Sequence, residues 1–395
     1  MNICFITYGH VSPIRGGVDR VTDIVARSLQ ARKHKVLLVS ACQPAPNDIL
    51  NSNQYVMPTD KIEDEKNIEF LHNFFANHNI EVIVNQCERQ GILYLLQQTH
   101  GNIPIVTAFH GDPRAPVKGI RDAWDWRMMQ HSALARWLLS PYYLLRCVVQ
   151  YYLRSRWQHT SHNNTFAMSD AVVLLSENFK KPYAHCVGIS ASHPRLFAIS
   201  NPQHMAEVTI PEIKEKRILW VARHDFSPKR LDRLIRVWSQ IANHRGWHLD
   251  ILGSGTHTAF YQQLAQKIGT RDISFHGTVS PESFYQKAQI LCVTSTHEGL
   301  PMVLLEALNF EVIPVAFQSY ESITDIIRTG ENGFLIPPFD EKQMQYQLEQ
   351  LMDDGELRQK LRERIRKDTA GINRFNPEII ASQWEQLLNE VTINE

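Results

Sequence analysis

Two carboxylates, Glu298 and Glu306, stand with seven residues between them in Ser295-Thr-His-Glu-Gly-Leu-Pro-Met-Val-Leu-Leu-Glu-Ala-Leu-Asn309. The apolar run Ile290-Leu-Cys-Val-Thr294 reads as a buried strand leading into the first. A helical pattern opening at Pro301 carries the second in its second turn. Free N–H groups at such a helix start attract an anion. One carboxylate in the loop and one on the helix can hold a phosphate with two hydroxyl-bearing groups around it. The set read alone also fits a surface acid beside an amphipathic helix.

A second set lies in Trp220-Val-Ala-Arg223-His-Asp-Phe-Ser-Pro-Lys229-Arg-Leu-Asp-Arg-Leu-Ile235. A strand delivers Arg223, and a turn through Pro228 presents Lys229 where the next helix begins. Six residues apart across a loop, a planar guanidinium and a mobile ammonium suit one diphosphate. A solvated basic loop is the plain alternative. Gly16-Gly17 follows the first strand by a loop and precedes a helix at about Val18, where bare backbone can approach an anion. Gly-x-Gly-x-x-Gly is absent, so this is not the dinucleotide fingerprint. His110 ends another strand, Ile105-Val-Thr-Ala108, by two residues; a lone histidine is more often structural. No Asp-x-Asp follows a strand, and Asp353-Asp354 falls in a polar turn. No metal or other cofactor is therefore expected. Stabilising a diphosphate leaving group falls to Arg223, Lys229 and helix N–H groups.

These residues need strands to deliver them. Short apolar runs at Ile3–Thr7, Val36–Val39, Val82–Val84, Ile105–Ala108, Val172–Leu175 and Leu196–Ile199 alternate with helical stretches. A second series follows at Ile218–Val221, His248–Leu252, Ile273–His276, Leu291–Thr294 and Val312–Ala316. Continuous apolar strands separated by helices predict two doubly wound α/β domains with parallel sheets. Ligands in such folds sit beyond the carboxyl ends of the strands. A polar stretch between Asn201-Pro202 and Lys216-Arg217 marks the boundary.

The 395 residues suffice for two or three cores, and 41 basic against 41 acidic side chains give no general attraction to nucleic acid. Six scattered cysteines show no zinc spacing or disulfide framework and predict a reducing compartment. The N-terminus reads as a first strand rather than a signal peptide, and no run is long and apolar enough to span a membrane. Residues 114–160 stand apart: eight Arg/Lys against two Asp, interleaved with Trp124, Trp126, Trp137, Tyr142, Tyr143, Tyr151, Tyr152 and Trp157. Basic, aromatic and aliphatic residues at helical spacing suit an anionic membrane surface, lying in the interface because Pro141 and Arg146 interrupt the apolar run. The same residues also fit helices packed in the first domain's core.

The segment around Glu298 and Glu306 resembles the donor site of family 4 retaining glycosyltransferases, which have the GT-B fold: two Rossmann-like domains facing an interdomain cleft. The resemblance is strong from about Arg217 to Pro338 and loose over 1–200. It implies an acceptor-side domain at 1–205, a nucleotide-sugar donor domain at 206–374, and a C-terminal helix at 375–395 crossing back to the first domain. It implies that Glu298 lies against the transferred sugar and Glu306 accepts hydrogen bonds from the ribose. By the same resemblance Gly299, Leu300, Pro301 and Met302 would line the donor between them. Arg223 and Lys229 would hold the diphosphate, Gly16 and Gly17 would face it, and His110 would lie near the sugar's outer hydroxyls as a catalytic-site residue. Thr278 and Val279, in Phe275-His-Gly-Thr-Val279, would line the base pocket. Three departures stand out: Asp19 for a glutamate, and Ala222 and Arg230 where glycine is common.

The implied reaction is metal-independent transfer of a hexose or N-acetylhexosamine from a UDP-linked donor, with retention, to a hydroxyl of a lipid-linked glycan or lipopolysaccharide. The implied location is cytoplasmic, peripheral on the inner membrane face. A nucleotide-sugar epimerase of the same fold and a non-catalytic sugar-nucleotide binder are the alternatives.

Overall fold

A computed structural model of the chain describes residues 1–12, 17–44, 51–203 and 210–393. The apolar runs become strands because side chains covered on both faces must be apolar throughout. In the first sheet these are β1 (Asn2–Thr7), β2 (Lys35–Ser40), β3 (Gln54–Val56), β4 (Val82–Asn85), β5 (Ile105–Ala108), β6 (Ala171–Leu174) and β7 (Leu196–Ala198). They lie in the order β3-β2-β1-β4-β5-β6-β7, all parallel. The second sheet holds β8 (Arg217–Val221), β9 (His248–Leu252), β10 (Ile273–Gly277), β11 (Ile290–Val293), β12 (Ile313–Phe317) and β13 (Phe334–Ile336). Its order is β10-β9-β8-β11-β12-β13, again parallel. Both sheets are thus doubly wound, as expected. The edge strands β3 and β13, three residues each, are too short to stand out in the sequence.

In each sheet the strand order reverses beside the first strand: between β1 and β4, and between β8 and β11. These switch points open the crevices where ligands of such folds bind.

Six helices bear on the site and its surroundings: α1 (Gly17–Ala31), α2 (Ala115–Met129), α3 (Ala133–Ala167), α4 (Leu231–Gln240), α5 (Met302–Asn309) and α6 (Pro377–Ile393). Pro301 was expected as the first helical residue. It is instead the cap, with ψ 97°, and its carbonyl already accepts from Leu304 N at 3.0 Å.

The chain forms two compact units. The first comprises Met1–Arg114, Ser155–His204 and Arg374–Glu395. Its C-terminal helix α6 packs on α1, and Glu385 accepts from Arg32 Nη2 at 2.7 Å and pairs with His34 Nε2 at 2.8 Å. The second unit comprises Ala115–Arg154 and Met205–Asn373, so α2 and the first part of α3 group with the second sheet rather than with 1–205. The cause is local: α2 buries Asp122 against Arg230, 2.6 Å away.

Helix α3 runs unbroken through Pro141. It contains four arginines, Arg136, Arg146, Arg154 and Arg156, and no Asp or Glu. Its large apolar side chains from Trp137 to Trp157 are not core: Trp137 is 73% exposed, Leu145 65%, Tyr152 63% and Trp157 58%. Among the described residues no helix is long and apolar enough to cross a membrane.

Candidate functional site

Loops leaving β8 and β11 flank the switch point of the second sheet. The first carries Arg223 and Lys229, the second Glu298. Strand register sets the two loops side by side, since Ile290 and Leu291 align with Ile218 and Leu219. Hydrogen bonds then tie them: Thr296 N donates to Pro228 O at 2.8 Å, and the Thr294 hydroxyl Oγ1 donates to Lys229 O at 2.9 Å.

At their tips Lys229 Nζ meets Glu298 Oε1 at 2.5 Å, both side chains more than four-fifths buried. Ser295 Oγ donates to the same carboxylate oxygen at 2.6 Å, and Ser319 Oγ holds Ser295 in turn through its carbonyl, also at 2.6 Å. An ammonium and a carboxylate drawn into a low-dielectric crevice need one another, because either alone would be left charged and poorly solvated. The pair offers a cation for a diphosphate and an acceptor for sugar hydroxyls within one bond length of each other.

Glu306 lies on α5 with a separate support. Tyr285 OH, on a buried ring stacked with Phe310, donates to Glu306 Oε2 at 3.1 Å. Between the two glutamates Leu300 is buried, Gly299 O accepts from Ser322 Oγ at 2.5 Å, and Pro301 and Met302 form the cap and start of α5. Across the sheet, Thr278 and Ser254 share a hydroxyl–hydroxyl bond of 2.7 Å, and Val279 is exposed.

Arg223 and Arg230 have exchanged the prominence their positions suggest. The Arg223 side chain is 79% exposed and its carboxylate contact, to Asp225, is 3.4 Å. Arg230 is buried, left-handed at φ 52°, and bound by Asp122 and Asp125 through Nη1 at 2.6 and 2.8 Å and by Asp232 through Nε at 3.0 Å. Against the cost of burial, Asp232 and Asp122 hold its pKa above the usual arginine range. Arg230 is therefore a structural cation, and Lys229 and Arg223 are the basic residues left at the crevice.

The loop after β9 passes close beneath. Gly253, at φ +111°, lies so near the loop after β8 that a Cβ there would come within 2.0 Å of Ala222 O. Ser254 O accepts from His224 N at 3.0 Å.

In the first unit, Gly17 opens α1 after β1, while Gly16 lies outside the described residues. His110 follows β5. Its Nε2 donates to Gln86 Oε1, its backbone N–H donates to Glu88 Oε1 at 2.8 Å, and burial holds its pKa down to about 4. The imidazole is thus neutral, with Nδ1 left as a bare acceptor.

The sequence reading did not single out Ser295, Ser319 or Tyr285. Ser295 sits inside the glutamate segment and was within reach; Ser319, in the loop after β12, and Tyr285, on the short helix Glu282–Lys287, leave no local signal.

Two doubly wound parallel-sheet units define a protein of GT-B fold. Residues 204–368 match the family described as glycosyl transferases group 1. An uncharacterized glycosyltransferase of Haemophilus influenzae is 30% identical over 251 residues, 59% of this chain and 68% of that one. The chain belongs to this glycosyltransferase family. An exopolysaccharide phosphotransferase of Streptomyces coelicolor is 32% identical over 235 residues, 56% of this chain but 23% of the relative. A Campylobacter jejuni α-1,4-N-acetyl-D-galactosaminyltransferase, named for a GalNAc-bearing PP-undecaprenol, is 25% identical over 245 residues, 61% of this chain and 66% of that one. Sucrose-phosphate synthase from Thermosynechococcus elongatus shares the fold at TM-score 0.74 and 17% identity, over 100% of both chains. Anabaena HepE, solved with UDP and glucose, shares it at TM-score 0.73 and 14% identity, over 99% of this chain and 100% of that one.

Proposed function

We propose that the protein transfers a hexose or N-acetylhexosamine from a UDP-linked donor to a hydroxyl of a lipid-linked glycan or lipopolysaccharide, with retention of configuration. The observation that carries this is the Lys229–Glu298 pair, steadied by Ser295 at the switch point of the family-matched unit. Lys229 and Arg223 take the diphosphate, so that Lys229 opposes the charge that grows as the leaving group departs. Glu298 accepts from the sugar hydroxyls and favours positive charge at the ring, and Glu306 accepts from the ribose. The acceptor hydroxyl forms its bond to the anomeric carbon on the face from which the phosphate leaves. The anomeric C–O bond to phosphate breaks, and the departing phosphate oxygen takes the hydroxyl proton. Neutral His110 serves as a hydrogen-bonding group to the sugar's outer hydroxyls rather than as a cation. No step is assigned to a divalent metal.

The exposed, acid-free helix α3 supports a lipid-borne acceptor. Its arginines attract anionic headgroups and its aromatic rings suit the headgroup level. The working location is then the inner face of the cytoplasmic membrane.

Incubation with a panel of nucleotide sugars and a lipid extract tests the reading. A glycosylated lipid whose new linkage keeps the donor's anomeric configuration by NMR is expected. An isomerised donor would make the protein an epimerase, transfer of a sugar phosphate would make it a phosphotransferase, and binding without product would make it a sensor. Activity lost in EDTA and restored by magnesium or manganese would refute metal independence.

A further inference from the structure

The two donor-side loops are gripped from outside the sheet by α2. Lys118, Asp122, Asp125 and Trp126 recur at helical spacing and share one face of that helix. Trp126 stands edge-on to His257 and Phe260, with ring centroids 4.5 and 4.9 Å away. Lys118 Nζ donates to Ser319 O at 3.0 Å, and Ser319 supports Ser295. Asp122 is the centre of the grip and is fully buried. Its Oδ2 accepts from Ser227 Oγ at 2.9 Å. Its Oδ1 accepts from Arg230 Nη1 at 2.6 Å and from Thr296 Oγ1 at 2.8 Å.

Those donors come from both loops. Ser227 and Arg230 bracket Lys229, and Thr296 lies two residues before Glu298. A buried carboxylate needs compensation, and Arg230 supplies the nearest charge, with Arg233 Nη2 at 3.7 Å. The two neutral hydroxyls add something else: they fix the separation of the loops whose tips meet as Lys229 and Glu298. The geometry points to Asp122 as a positioning residue of the donor site, acting through Ser227 and Thr296 to hold Lys229 and Glu298 in register for a nucleoside diphosphate. This rests on the reading of that pair as donor-binding. It also makes α2, a segment far from either motif in sequence, a determinant of donor affinity.

Titration calorimetry with UDP, GDP and ADP tests this on the full chain, using whichever binds the wild-type protein tightest. Asp122→Asn is expected to weaken that nucleotide at least tenfold. The conservative pair Ser227→Ala and Thr296→Val, which leave Arg230 and its carboxylates in place, should each weaken it severalfold with little change in unfolding temperature. In a Lys229→Ala background Asp122→Asn should cost little further affinity, because its effect runs through Lys229. If no nucleotide binds the wild type, the donor-site reading itself fails. If Lys229→Ala abolishes binding while the Ser227 and Thr296 variants bind like wild type, the donor site stands and the positioning role is overturned. Full additivity of Asp122→Asn with Lys229→Ala would overturn it equally, and the hydroxyl variants decide the matter should Asp122→Asn fail to fold.

Discussion

The members of the Lys229–Glu298 ion pair carry different expectations. Glu298→Gln keeps the shape and the Ser295 bond but removes the charge facing the sugar, so turnover should fall more than donor affinity. Glu306→Ala should instead weaken donor binding by about 1.5–3 kcal/mol, the worth of hydrogen bonds to a charged group. Tyr285→Phe, which removes one bond to Glu306, should cost about 1 kcal/mol of the same affinity. Calorimetry paired with steady-state kinetics separates these, and wild-type behaviour in both glutamate variants would remove them from the site. His110 gives a pH expectation. Burial holds its pKa near 4, below the ordinary value near 6.5. Between those values the unfolded chain binds a proton that the folded chain refuses, so stability falls as pH drops from about 6.5 towards 4. His110→Gln should reduce that slope in denaturant titrations, His78, His162 and His224 contributing the same sign, and an NMR titration should show the His110 imidazole neutral at pH 6. An imidazole titrating above 6 would contradict this.

At the scale of elements, the loop after β9 and helix α3 are the informative cases. Gly253 has both a positive φ and a carbonyl where a Cβ would go. Gly253→Ala should therefore destabilise the protein by roughly 2–4 kcal/mol, combining overpacking with backbone strain. Thermal unfolding measures it, and a variant melting with the wild type would mean the loop has room to move. Helix α3 is unlike the other amphipathic elements in leaving its tryptophans and leucines outside any core. Salt-sensitive cosedimentation with anionic vesicles, and none with neutral ones, is the expected result. Arg154 is a poor choice for testing it, since its Nη1 donates to Pro116 O at 3.1 Å. Arg146→Glu with Arg156→Glu is cleaner: both are exposed, and each basic residue contributes about 1 kcal/mol to headgroup attraction. Wild-type protein left in the supernatant at low salt would end the membrane reading and favour a soluble acceptor.

For the whole molecule, the division into two units gives a thermal prediction. Each unit has its own sheet and core, so unfolding need not be a single cooperative step. A nucleoside diphosphate bound by the loops after β8 and β11 should raise the transition of the second unit by mass action, about 2.7 kcal/mol at a hundredfold excess over Kd. Hydrogen exchange should show added protection in the loops after β8 and β11, and no change there would argue against the site. The balanced charge of the chain, 41 basic against 41 acidic, means that any attraction to an anionic surface comes from where the arginines lie.

What the sequence determined by itself was whatever depends on neighbours along the chain. Uninterrupted apolar runs between helical stretches can be covered only on both faces, which implies two parallel doubly wound sheets. The spacing of Glu298 and Glu306 around a Gly-Leu-Pro turn, and of Arg223 and Lys229 across another, marked the loops at the strand ends for the same local reason. Pairings between distant residues had no such trace. That Arg230 is consumed by Asp122, Asp125 and Asp232, that Tyr285 supports Glu306, and that α2 packs with the second sheet are outcomes of burial. A charged group in a loop reads the same whether it faces water or a carboxylate a hundred residues away; only the tertiary structure removes the water and thereby selects its partner. The aromatic run of α3 shows the converse: its composition fitted a core as well as a membrane interface, and its exposure, a property of the folded chain, tells against the core.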